Sequence, residues 1–332
     1  MSTMTAAAQA GTTDEPWLRH FPITFFAVVM GLAGLSLATR RMEVALFGAS
    51  GTASLVLTLA TAATFCVIAA IYLAKALRHT EAMKAEWNNP VRIAFFPAIT
   101  IGVLLVCSGL LPRAPGLVEA VWIVATAVHL VIILGVVSAW ISHRTFEQAH
   151  LTPAWFIPAV GNVLVPAAGV ELGYLEVSWF FFSVGMLFWV IFLTLVFNRL
   201  IFHNPIAERL LPTLVILIAP PSVGFVAWLL LNGGVVDAFA RVLYYSALMF
   251  VLVMLTQVGR LLRLPFSMAW WAYSFPVAAF TIASALFAES TGAAFQRTLS
   301  FIAYGVLCAV IAMLVAKTFA AMRRNEICRP EG

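Results

Sequence analysis

Ten apolar runs of about twenty residues follow one another along the chain, separated by short polar gaps. They cover 21–39, 50–74, 92–112, 117–141, 152–171, 176–198, 210–232, 238–259, 268–288 and 298–317. About twenty mostly apolar residues, wound as a helix, cross the ~30 Å hydrocarbon layer of a bilayer. The sixth run contains VSWFFFSVGMLFWVIFLTLVFN without a single charge. Barrel strands would instead be ~10 residues long with alternating polarity, a pattern absent from these continuous runs. The hydropathy pattern therefore predicts an all-α integral membrane protein with ten transmembrane helices.

The gaps carry an orientation signal, because Lys and Arg concentrate on the cytoplasmic side of membrane helices. With the N-terminus inside, the inner segments hold Arg19, Lys75, Arg78, Lys84, Arg92, Arg144, Arg199, Arg209, Arg260, Arg263, Lys317, Arg323, Arg324 and Arg329. The outer loops hold Arg40, Arg41, Arg113, Arg241 and Arg297, so the bias is 14 to 5. It is consistent only with an even number of spans and both termini cytoplasmic. This predicts a multi-pass protein of the cell inner (plasma) membrane. Its flexible cytoplasmic tail is 1–20, its transmembrane domain 21–322 and its C-terminal tail 323–332. The acidic, small-residue-rich start has no basic region ahead of the first apolar run, so a cleaved signal peptide is not expected.

Proline divides the spans into two kinds. The odd spans contain or begin with Pro22; Pro90 and Pro97; Pro153, Pro158 and Pro166; Pro212, Pro220 and Pro221; and Pro276, whereas the even spans contain none. Pro97, Pro158, Pro220 and Pro276 recur about every 60 residues, which predicts a quasi-fivefold repeat of helical hairpins. Proline in a helix interior removes a hydrogen bond and bends the axis, and the freed carbonyl is costly in lipid unless protein or water serves it. Kinked helices are thus expected inside, around a central pore, with straight ones against lipid. The bland alternative is that proline is simply more frequent in membrane helices.

Composition agrees with this picture: 63% hydrophobic and 10% charged residues, with a mean hydropathy of +1.00. Soluble domains carry roughly 25% charged residues. The net charge of +5 sits in the gaps, so no nucleic-acid partner is expected. Cys66, Cys107, Cys308 and Cys328 are too scattered for a disulfide framework. No metal ligand set and no cofactor motif is present in the sequence. The scattered His20, His79, His129, His143, His150 and His203 provide no acid–base cluster for a membrane enzyme.

Within the ten spans no Asp, Glu, Lys or Arg lies away from the ends. Ion and proton pathways normally carry such groups, and cation filters carry acidic rings. A neutral conduit would select by width and dehydration cost, favouring an anion that sheds water easily. The one titratable candidate inside a span is His129, in AVHLVII on a straight helix; a lone histidine there is more often a hydrogen-bonded packing residue than a relay. Phe275, immediately before Pro276, stands where the ninth helix bends, and a ring there could plug a narrow apolar passage. Trp270, Trp271 and Tyr273 read as interfacial anchors.

The segments FFAVVMGLAGLSLA (25–38), NNPVRIAFFPAI (88–99), TPAWFIPAVGNVLVP (152–166), RLLPTLVILIAPPSVGF (209–225) and AWWAYSFPVAAF (269–280) resemble the family of bacterial tellurite-resistance and C4-dicarboxylate transporters and plant slow anion channels. The resemblance covers all ten spans in order. It implies a homotrimer with one pore per protomer, five inner helices around each pore, and an occluding phenylalanine at the position of Phe275. It implies as cargo a small anion: chloride, nitrate, a dicarboxylate or an oxyanion. Some members carry a proline in the first span where this chain has Val29 and Met30 ahead of Gly31, so the kink there is expected to be weaker or to be carried by Gly31 and Gly34.

Two functions follow as expectations. The first is passage of small anions through a pore lined by the odd helices, shaped at Pro97, Pro158, Pro220 and Pro276 and closed by Phe275. The alternative is a proton-coupled C4-dicarboxylate transporter or a tellurite or sulfite exporter, in which His129 would carry the proton. Enzyme activity is not expected.

Overall fold

The computed structural model describes residues 17–49, 51–142 and 146–328, and among these there is no strand. Arg144, Arg329 and the outer parts of both expected tails, 1–16 and 329–332, lie outside the described residues. Nine helical stretches among the described residues are long and apolar enough to cross a membrane. The expected fifth span is the shorter segment Pro153–Gly169.

Five helices are single, unbroken α-helices: α2 (Thr52–Arg78), α5 (Pro115–Ser142), α8 (Leu175–Phe202), α10 (Ala238–Leu261) and α12 (Ala294–Arg323). The short α3 (Thr80–Trp87) follows α2. Pro115 stands at the first position of α5, where its missing N–H removes no helical bond. The five interleaved segments are built differently. Each opens with a 3-10 stretch and then turns into α-helix: Ile23–Phe25 into α1 (Phe26–Phe47), Ile93–Phe95 into α4 (Ala98–Leu110), Pro153–Trp155 into α6 (Phe156–Leu164), Glu208–Ile218 into α9 (Ala219–Leu231), and Met268–Tyr273 into α11 (Ser274–Thr291). A last turn, α7 (Pro166–Gly169), follows α6.

This pattern shows what the prolines do. Pro97 is the N-cap of α4, Pro158 and Pro276 are the third residues of α6 and α11, and Pro220 is the second of α9. All four lie at the start of an α-helical segment, where the backbone N–H has no helical partner to lose. Each of the four prolines thus accompanies a change from 3-10 to α winding. α1 makes the same change at Phe25–Phe26 without a proline.

The two kinds of helix also occupy different places. In the most apolar windows of Ile23–Phe47, Ile93–Leu110, Glu208–Leu231 and Met268–Thr291, 67–83% of residues are buried, against 22–33% in α2, α5, α8, α10 and α12. Every residue of α6 is buried. Contacts run from α1 to α4, α4 to α6, α6 to α9, α9 to α11 and α11 back to α1, closing a ring of five inner helices. The outer five present leucine, valine and phenylalanine side chains outward, among them Leu134, Phe180 and Leu255, as a lipid-facing surface requires.

Glycine permits the tightest approach in the ring. A β-carbon at Gly31 would overlap Ser274, lying 2.8 Å from its Cβ, and one at Gly34 would lie 2.7 Å from the Cβ of Ala278. These two glycines let α1 lie close against α11.

Several charges sit elsewhere than expected. Arg40, Arg41, Arg241 and Arg297 ride on helix ends rather than in loops, because the helices outlast their apolar runs. Arg41 meets Glu289 at 3.7 Å. Glu43, on α1, is buried and accepts from the backbone N–H groups of Gly51 and Ser54. Arg199, also buried, donates to the carbonyls of Gln148, Ala149 and Leu151, tying α8 to the segment that leads into α6.

Candidate functional site

The ring of inner helices encloses a cavity of about 900 Å³ that opens at the end of the bundle holding Arg19 and Cys328. All five inner segments contribute to its wall, including Met30, Phe95, Val160, Ala219 and Phe275. No lining residue comes from α1 beyond Met30, α6 beyond Val160, α9 beyond Ala219 or α11 beyond Pro276. The cavity therefore extends partway along the inner helices and ends at the level of Phe275. Around that inner end the side chains are uncharged: Met30, Ile157, Val160, Ile216, Ala272 and Phe275.

Phe275 is the second residue of α11 and is buried. A β-carbon at Gly34 would stand 3.5 Å from its Cδ2, so the ring lies over bare backbone of α1. The buried aromatic side chains elsewhere in α11 are stacked: Phe280 on Tyr244 at 5.9 Å and Phe287 on Phe225 at 5.9 Å. Among the described residues Phe275 has no such ring partner.

The mouth is strongly polar. Among the described residues, Arg19, Lys75, Arg92 and Arg209 line it with Glu86 and Glu326, a formal charge of +2 before His20 and His150 are counted. One cluster joins three of these groups, Lys75, Glu86 and Arg92. The Lys75 ammonium, in the last turn of α2, lies 2.7 Å from Glu86 Oε2 and donates to the Phe21 carbonyl at 2.8 Å. The Tyr72 hydroxyl donates to the same carboxylate at 3.0 Å, the Ile23 N–H at 3.3 Å and Arg92 at 3.4 Å. The Lys75 and Glu86 side chains are each 2% exposed. The Cys328 thiol sits at the same mouth, and burial pushes it up to about 11, so it is a neutral thiol at physiological pH.

The sequence expectation of a charge-free interior describes the narrow end but misses this cluster. Lys75 and Glu86 read as loop charges because only the fold-back of α3 brings them together. A signal was present, since Met83, Glu86 and Trp87 lie on one face of that helix.

Of the residues singled out in the sequence, Phe275 and Pro276 line the cavity, while Pro97, Pro158 and Pro220 stand at the helix transitions around it. His129 does not line it. It is wholly buried on α5, with Nδ1 2.7 Å from the hydroxyl of Thr100. No group of three or more potential metal ligands occurs among the described residues.

The family described as voltage-dependent anion channel (SLAC1) matches residues 20–319, a stretch that takes in the helices above except for the last four residues of α12. The chain belongs to that family. Among its curated relatives, the S-type anion channel SLAH3 of Arabidopsis thaliana is 26% identical over 311 residues, covering 90% of this chain and 47% of the relative. The guard cell S-type anion channel SLAC1 of the same plant is 26% identical over 319 residues, covering 92% and 57%. The tellurite resistance protein TehA homolog of Haemophilus influenzae is 30% identical over 259 residues, covering 77% and 78%. The chain thus spans about half the length of the two plant relatives and most of the bacterial one. In this SLAC1-family member the matched stretch is the helical bundle itself, the part that holds the cavity.

Proposed function

We propose that this protein conducts small anions across the membrane through the cavity enclosed by α1, α4, α6, α9 and α11, with Phe275 as the side chain that closes it. One observation carries the reading: the helix ring holds a cavity whose mouth, among the described residues, is lined by more cationic than anionic side chains and whose inner end is uncharged and stops at Phe275. The cations raise the local anion concentration within a Debye length, ~8 Å at physiological salt. The narrow end then selects by dehydration cost, which disfavours small hydrated cations and multiply charged anions. Among the described residues no ring partner holds the aromatic ring, and on this reading its rotation clears the path. On this reading the mouth is cytoplasmic and the protein sits in the inner (plasma) membrane. The two kinds of helix are five inner–outer hairpins in a quasi-fivefold arrangement of ten spans, the protein is a homotrimer, and its role is transport rather than catalysis.

The test is flux into proteoliposomes with a panel of chloride, nitrate, sulfite and malate. Phe275→Ala is expected to raise monovalent anion flux several-fold over the parent protein. A well-folded Phe275→Ala protein with unchanged flux for every anion overturns the gate.

A second reading, a proton-coupled dicarboxylate transporter or oxyanion exporter, draws on the tellurite-resistance name of the bacterial relative. It requires a group that carries the proton, and His129 stands away from the cavity wall. Uptake that saturates and accumulates against a gradient only when a pH difference is imposed would favour it.

A further inference from the structure

We infer that His129 is a positioning residue of the proposed anion pathway. Through Thr100 it holds the 3-10-to-α transition at Pro97, and with it the placement of Phe95 on the cavity wall. The inference rests on the conduction reading above.

The geometry is a two-bond chain between an outer and an inner helix. His129 Nδ1 lies 2.7 Å from Thr100 Oγ1, and the Thr100 hydroxyl in turn donates to the Pro97 carbonyl at 3.0 Å. A hydroxyl has one proton to give. With that proton on Pro97, the ring donates to the hydroxyl from Nδ1. Its Nε2 is buried and meets no hydrogen-bond partner in the protein. It abuts the backbone of Gly161, where a β-carbon would stand 2.8 Å from Nε2 and 2.9 Å from Ile101 Cδ1. The ring is thus wedged between α4 and α6, with Phe181 of α8 at 6.2 Å.

Among the described residues, the neighbours of this ring on α4, α6 and α8 are Thr100, Ile101, Gly161 and Phe181, none of them charged. A proton relay needs a partner to receive its proton, and none of these can take it further. Bracing is what the arrangement does. Two turns earlier on the same helix, Trp122 Nε1 donates to the Val165 carbonyl at 3.2 Å, just ahead of Pro166. α5 therefore clamps one proline-marked junction in each of two neighbouring inner helices. Phe95, two residues before Pro97, lines the cavity, so a shift at Pro97 moves the wall itself.

The experiment uses the Phe275→Ala protein, in which closure by the ring no longer limits flux. In that background Thr100→Val, which keeps shape and loses the hydroxyl, and His129→Leu are each expected to lower chloride and nitrate flux several-fold. The combined variant should lose no more than either alone, since both cut one chain. His129→Asn, whose amide N–H can stand in for Nδ1–H, should restore most of the flux. The shape of the pH profile between 5 and 8 should be the same as in the parent. Gly161→Ala, which crowds the ring, should reproduce the loss. Full flux in Thr100→Val and His129→Leu overturns the inference, as does a changed pH profile in His129→Asn. Thermal unfolding of the two single variants and their combination in detergent adds a readout independent of transport: additive losses also overturn it. Absence of anion flux in Phe275→Ala itself would instead reject the conduction reading, leaving the unfolding cycle to decide on the brace.

Discussion

The ammonium of Lys75 and the carboxylate of Glu86 form an ion pair 2.7 Å apart, shielded from solvent. The pair closes the fold-back of α3 onto α2. Through the Phe21 carbonyl and the Ile23 N–H it also fastens the start of the first inner segment to that hairpin. Desolvating two ions is costly, and the geometry offsets it only while every oxygen and proton has a partner.

Removing one member should therefore cost more than removing both. Glu86→Gln leaves Lys75 buried without a counter-charge, and a loss of about 3–5 kcal/mol is expected. Lys75→Met combined with Glu86→Leu should recover most of it. Denaturation of the purified protein in mixed micelles measures both. The half-exposed pair Arg41–Glu289, at 3.7 Å, is the control: Arg41→Ala should change stability by about 1 kcal/mol or less and in a salt-dependent way. Equal losses for Glu86→Gln and the double variant would refute this account.

The contact of Gly31 with Ser274 sets the spacing of α1 and α11. Gly31→Ala places a methyl group into Ser274, with Trp271 Cε3 3.1 Å away, and overpacking of this kind costs about 1–3 kcal/mol. Ser274→Gly should return much of that stability in the double variant while being destabilising alone. A Gly31→Ala protein that unfolds at the parent temperature would mean that the helices slide apart without cost.

Asp237 provides a pH test away from the membrane interior. As N-cap of α10 it accepts from the Ala240 N–H at 2.8 Å, and from Trp228 and Asn232 at 2.9 and 3.2 Å, linking the end of α9 to the start of α10. The bond from the Ala240 N–H, followed by that from Trp228, holds its carboxyl below the ordinary aspartate value. A depressed carboxyl contributes stability that is fully present above the ordinary pKa, about 4, and is lost as pH falls through the lowered one. Asp237→Ala should accordingly melt below the parent at pH 7, with the gap narrowing as the pH is taken below about 4. A gap that is constant with pH would show that the cap acts by shape alone.

Hydropathy and proline spacing were enough to separate inner from outer helices, because both properties are local. A bilayer demands a run of apolar residues of a given length. A residue without an N–H is tolerated where a helical segment begins. The positions of Pro97, Pro158, Pro220 and Pro276 thus already marked which helices change their winding. That the change is from 3-10 to α, and that α1 makes it at Phe26 without proline, depends on contacts with neighbouring helices. Glycine spacing was legible in a weaker sense: Gly31 and Gly34 stood out in the first span, but only the approach of α11 shows that they admit Ser274 and Ala278.

By itself the sequence determined the membrane-spanning class, the alternation of two helix types and the position of Phe275 ahead of Pro276, since each follows from residues within one or two turns. Tertiary structure alone decided that Lys75 and Glu86 are buried together, that His129 grips Thr100 instead of facing the cavity, and that the cavity ends beside Phe275. These depend on which faces of separate helices meet, and helix rotation in a uniformly apolar bundle leaves almost no periodic trace in the chain, since lipid and protein interior ask for the same side chains.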